Sequence, residues 1–75
     1  MDVIRYRIDI KRHAFKRALE RRIHPDIIEA AIKGGKIIRY GKNYVKFVKK
    51  YKKFKIVCVA EISGDVLKII TITKN

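Results

Sequence analysis

Twenty Lys and Arg residues against seven Asp and Glu give this 75-residue chain a formal charge of +13 and a pI near 10.3, the footprint of a protein that meets a polyanion. The length limits it to one domain, residues 1–75, and a hydrophobic content of 48% excludes a disordered basic tail. No apolar run approaches the roughly 18–20 residues of a membrane span, and no signal-peptide core follows Met1, so the chain is expected in the cytoplasm, away from membranes.

Val3 to Ile10 alternates, with Ile4, Tyr6, Ile8 and Ile10 on one side and Val3, Arg5, Arg7 and Asp9 on the other, which predicts a strand with one buried face. From Lys11 to Arg22 good helix formers take over, and Ala14, Ala18, Phe15 and Leu19 at i, i+4 spacing form a narrow apolar stripe. Pro25 at a first helical position, with Asp26 and Glu29 near the positive end of the helix dipole, starts a second helix whose core face is Ile27, Ile28, Ala31 and Ile32. Gly34-Gly35 is expected to end it by taking the left-handed conformation. So little chain separates the two that they form a helical hairpin.

The period then changes to two. Strands are predicted over Lys36–Tyr40, Asn43–Lys50, Phe54–Ile62 and Val66–Thr73, with turns at Gly41-Lys42, Tyr51-Lys52 and Ser63-Gly64-Asp65. Closing a hairpin at Tyr51-Lys52 sets Val45, Phe47 and Lys49 opposite Cys58, Ile56 and Phe54 on the face that receives the helices. Tyr44, Lys46 and Val48 then oppose Val59, Val57 and Lys55 on the other face. The parity of the last strand stays open, because moving its turn by one residue exchanges Thr71 and Thr73 with Ile70 and Ile72. The fold class is therefore α+β: one strand, a helical hairpin, then a four-stranded antiparallel meander, with both helices on one face of the sheet. Cys58, alone in an apolar run, is expected as a buried thiol. The lack of glutamine, the abundance of Lys and Ile and the short loops fit a thermophile, although glutamate is scarce for one.

Charge is spread unevenly. Between Glu29 and Glu61 there is no acidic residue, while Lys33, Lys36, Arg39, Lys42, Lys46, Lys49, Lys50, Lys52, Lys53 and Lys55 fall in that window. Such a run repels itself until a polyanion relieves it, and nucleic acid is the first partner to consider; a surface selected for stability alone mixes signs. Tyr44 among these lysines also reads as a stacking position for an unpaired base. On the first helix, His13, Arg17 and Arg21 recur every four residues and drift only about 40° per step. An imidazole that exchanges protons near neutral pH, beside two permanent cations, suits a phosphodiester; the alternative is a solvated basic face. His13 and His24 sit on different elements, and one cysteine with few acids makes no metal shell. There is no glycine-rich phosphate loop either, so neither a metal nor a cofactor is expected.

The string from His13 to Ile23, His-Ala-Phe-Lys-Arg-Ala-Leu-Glu-Arg-Arg-Ile, resembles the His-Ala-x-x-Arg-x-x-x-Arg-Gly-Ile motif of a family of small prokaryotic domains of unknown function, itself similar to the RelE and barnase-like ribonuclease toxins. Pro25 to Ile32 resembles that family's second helix, and Leu67 to Thr73 its final strand. The chain departs at Arg22, where the family has glycine, and at His24, where a serine or aspartate cap is common. What the resemblance implies is a RelE-like fold with a metal-independent ribonuclease-like site. His13 would act as base or acid, Arg17 and Lys46 would hold the phosphate, and Thr71, if it faces the open side of the sheet, would donate a hydrogen bond. Arg21, Tyr44, Lys49, Lys50, Lys52, Lys53 and Lys55 would bind the nucleic acid, RNA being the expected kind. Two alternatives stand beside it: a basic nucleic-acid-binding protein without catalysis, and a module neutralised by an acidic, antitoxin-like protein.

Overall fold

A computed structural model describes all residues from Met1 to Asn75. After a 3₁₀ turn over Val3–Arg5, the elements are β1 (Arg7–Ile10), α1 (Arg12–Glu20), α2 (Pro25–Gly34), β2 (Lys36–Tyr40), β3 (Tyr44–Lys50), β4 (Lys55–Ser63) and β5 (Val66–Lys74). This is a mixed α+β architecture with two helices and a five-stranded sheet of order β1-β5-β4-β3-β2. β2 to β5 form an antiparallel meander, and β1 joins parallel to β5. No helix is long and apolar enough to cross a membrane.

Both helices cover one face. Val45 and Phe47 of β3, Ile56, Cys58 and Ala60 of β4, and Leu67, Ile69 and Ile72 of β5 meet Ala14, Ala18, Ile23, Ile28, Ala31 and Ile32 in one buried cluster. Burying such side chains is worth about 1.5–3 kcal/mol each, which makes this cluster the main support of a chain this short. Cys58 is fully buried, and loss of hydration pushes its thiol up to about 11.

The expected first strand is shorter than its alternation predicts. The Asp2 carboxylate accepts from the Ile4 backbone N–H at 3.2 Å and bends Val3–Arg5 into the 3₁₀ turn. β1 then pairs only with Val66–Ile69, because β5 begins at Val66, and Ile4 is left 91% exposed. The stripe on α1 is narrower than read: Ala14 and Ala18 are buried, whereas Leu19 is half exposed.

Arg22 takes the left-handed conformation that a glycine would fill, at φ 60°. The Arg22 N–H donates to the Leu19 carbonyl, the Ile23 N–H donates to the Ala18 carbonyl, and Ile23 is buried beneath the turn. This is the Schellman closure, held despite a Cβ that disfavours it. The end of α2 differs from expectation. Gly35 is extended (φ −81°, ψ 171°), and glycine is needed there because a Cβ would press on the Ala31 carbonyl oxygen and lie 2.8 Å from the Val48 carbonyl oxygen. His24 caps α2 with no side-chain hydrogen bond.

The β3–β4 hairpin closes two residues later than predicted. Lys50 pairs with Lys55, and Tyr51, Lys52, Lys53 and Phe54 form the loop, in which the Tyr51 and Phe54 rings stack at 4.7 Å. Phe47 therefore opposes Cys58 and not Ile56. Since the slip is two residues, every side chain keeps its predicted face. In β5 both parities occur: Val59 pairs with Thr71 but Ala60 pairs with Ile69, so Ile70 is the extra residue of a β-bulge. The bulge lets Ile69 and Ile72, three residues apart, both point into the core.

Candidate functional site

β1 sets the site's position by ending early. The Lys11 N–H donates to the Ile69 carbonyl as the last rung beside β5, and the chain then turns into α1. From Ile70 onward the outer edge of β5 has no strand partner, and α1 lies along it instead. Ala14 and Ala18 on the contact side have little bulk, which allows a close approach of helix to strand.

The result is a cleft of about 190 Å³ lined by His13, Ala14, Arg17 and Arg21 of α1 and by Ile70, Thr71, Ile72 and Thr73 of β5. Arg21 is anchored, donating from Nη1 to the Ile72 carbonyl at 3.0 Å. One of the five guanidinium N–H groups makes that bond, so the rest of the fork remains a donor surface toward the cleft. No carboxylate lines the cleft. The three ion pairs of the molecule, Arg5–Asp2, Lys11–Asp9 and Lys33–Glu29, all lie elsewhere, so neither His13 nor Arg17 is paired with an acid. An imidazole and two guanidiniums on the helix wall, with two threonines on the strand wall, make a donor-rich seat for an anion with several oxygens.

The structure thus brings together His13, Arg17, Arg21 and Thr71. Thr73 joins them, a residue the sequence left unassigned because the bulge that orients it cannot be read from a run of β-branched residues. Lys46 is not part of this cleft. It stands on β3 opposite Val59, which in turn opposes Thr71, two strand spacings or roughly 9–10 Å across the sheet. Its ammonium sits over the Tyr40 ring, 5.1 Å from the centroid.

The remaining lysines divide between surfaces. Lys50 and Lys55 are direct cross-strand partners on the face away from the helices, a like-charge pairing that costs stability in the absence of an anion. Lys49 is on the helix face: its ammonium lies 5.8 Å from the Tyr51 ring centroid, and a Cβ on Gly34, at the end of α2, would sit 3.5 Å from it. Lys52 and Lys53 are exposed at the loop tip. Tyr44 is 38% exposed and stacks on Tyr40 at 5.5 Å. No three His, Cys, Asp or Glu side chains gather at metal-binding distance.

Comparison with known proteins gives one match: the model of a family described as a domain of unknown function, DUF4258, covers residues 10–74. No curated protein and no solved structure matches the chain.

Proposed function

We propose, for a chain that belongs to the DUF4258 family of domains of unknown function, an RNA-interacting domain that seats a phosphodiester in the cleft between α1 and β5 and cleaves it without a metal through His13. The observation that carries this reading is the sharing of one acid-free cleft by His13, Arg17, Arg21, Thr71 and Thr73. The helix-one motif resembles that of a family of small prokaryotic domains which is itself similar to the RelE and barnase-like toxins. That similarity supplies the reaction class, and a RelE-like arrangement of helices behind a curved sheet is part of the proposal.

Chemically, the His13 imidazole takes the proton from a ribose 2′-hydroxyl. The 2′-oxygen forms a bond to phosphorus, the bond from phosphorus to the 5′-oxygen breaks, and the leaving oxygen takes a proton from water. Negative charge rises on the non-bridging oxygens as the phosphorane forms. Arg17 and the free donors of Arg21 neutralise it, and Thr71 donates a hydrogen bond from the strand side.

A second reading has its own support. The cleft holds a single imidazole, and Lys46 does not line it, so the same architecture would clasp RNA without cutting it. Incubation of labelled RNA with the protein and with His13→Ala in EDTA separates the two. Cleavage by the parent that His13→Ala loses is the expected result. Salt-dependent binding without cleavage in both leaves the clasp, and absence of both binding and cleavage overturns the proposal.

A further inference from the structure

The face of the sheet opposite the helices has no cover, and its composition is unusual for a solvated surface. The rung that starts at Thr71 in the cleft runs through Val59 and Lys46 to Ile38; the next runs from Thr73 through Val57 and Val48 to Lys36. Between the cleft and the far lysines lies an apolar floor of Val48, Val57, Val59 and Ile38, half-buried or exposed, with Ile38 at 40%. Lys50 and Lys55 close one end, and the stacked Tyr40 and Tyr44 rings flank the other. None of the lysines on this floor forms an ion pair, and Glu61, on the same face of β4, stands opposite Tyr44 beyond the valines.

From this we infer that the open face is a seat for unpaired bases, which makes single-stranded RNA the substrate class. The inference rests on the phosphodiester seat proposed above. A partner for this face must offer flat apolar surface and negative charge together. A second copy of the chain brings the same +13 and is repelled. Duplex RNA presents phosphates but hides its bases, leaving the valine floor wet. A single strand with one phosphate in the cleft lays its next bases across Val59 and Val57 toward Tyr40 and Tyr44, while Lys46 and Lys36 meet the phosphates beyond.

The test is anisotropy titration at fixed salt of a labelled single-stranded hexanucleotide, the same sequence as duplex, and an abasic strand of equal charge. The expected result is about tenfold tighter binding of the base-bearing single strand than of either other ligand. The variant combining Ile38→Ser with Tyr44→Ala, both exposed positions, should weaken the single strand about tenfold. It should leave the abasic strand and the salt slope unchanged. Equal binding of all three ligands overturns the inference, as does an unaffected double variant. Equal binding is also the result expected of a face built for an acidic protein segment. Failure of the phosphodiester seat looks different: Arg17→Ala then leaves binding of every ligand unchanged.

Discussion

Arg22 offers a direct measurement of what the backbone costs at the end of α1. Its φ of 60° closes a Schellman turn over the buried Ile23, and an L-residue in that conformation is strained by about 1–2 kcal/mol. Glycine removes the strain but loses more freedom on folding, by about 0.5–1 kcal/mol. Arg22→Gly is therefore expected to stabilise the protein by about 0.5–1 kcal/mol, a rise in Tm of about 2–8 °C for a domain of this size. The change also removes one positive charge from a strongly basic chain, so Arg22→Ala serves as control: it deletes the same charge and keeps the Cβ. Urea melts at high salt of the three proteins read the difference. If Arg22→Ala gains as much as Arg22→Gly, the strain argument is wrong and the gain is electrostatic.

Other outcomes follow from the same structure. Arg21→Ala should cost about 1 kcal/mol, a charged hydrogen bond to the Ile72 carbonyl discounted for partial exposure, while Arg17→Ala should cost below about 0.5 kcal/mol. Both should weaken RNA binding and lower the salt slope by about 1, measured by titration across ionic strengths. Leu19→Lys should change stability by less than about 0.5 kcal/mol in thermal melts, since the side chain is half exposed; a loss above about 2 kcal/mol would return Leu19 to the core. The buried Cys58 thiol should resist alkylation at pH 8 until denaturant is added. Its pKa is raised from 9.0 to about 11, so the unfolded chain loses this proton first and the stability contribution, complete below pH 9, falls as pH rises toward 11. That part of the decline should vanish in Cys58→Ala when its pH–stability curve is compared with the parent's.

Much of this architecture is written in local pattern. The helix pair, the strand faces and the His13-Arg17-Arg21 row follow from periods of 3.6 and two, and a register slip of two residues left the faces intact. What could not be read depends on contacts distant in sequence. Ile70 and Thr71 sit in a run where every residue suits a strand, so nothing local marks the bulge that gathers Ile69, Ile72, Thr71 and Thr73 into their places. The late start of β1 at Arg7 depends on where β5 begins, more than fifty residues later, because Arg7 pairs with Val66. Lys46, which the resemblance implies as a phosphate holder beside Arg17, stands two strands away from Thr71, a distance that sequence spacing does not carry. Gly35 is expected as a left-handed terminus, whereas the demand on it is the nearness of the Ala31 carbonyl of α2 and of the β3 backbone at Val48.

If the cleft is the RNA seat, RNA must reach His13, and the two histidines supply a built-in control. His13 lines the cleft, whereas His24 caps α2 and does not. Proton NMR of the imidazole signals, with assignments made through His13→Gln and His24→Gln, reads both during titration with a single-stranded oligonucleotide. The account predicts that the His13 ring resonances, with the Arg17 and Arg21 side-chain N–H signals, move in saturable fashion while those of His24 stay in place. Saturable binding that leaves His13 unmoved, or that shifts His24 equally, would contradict it.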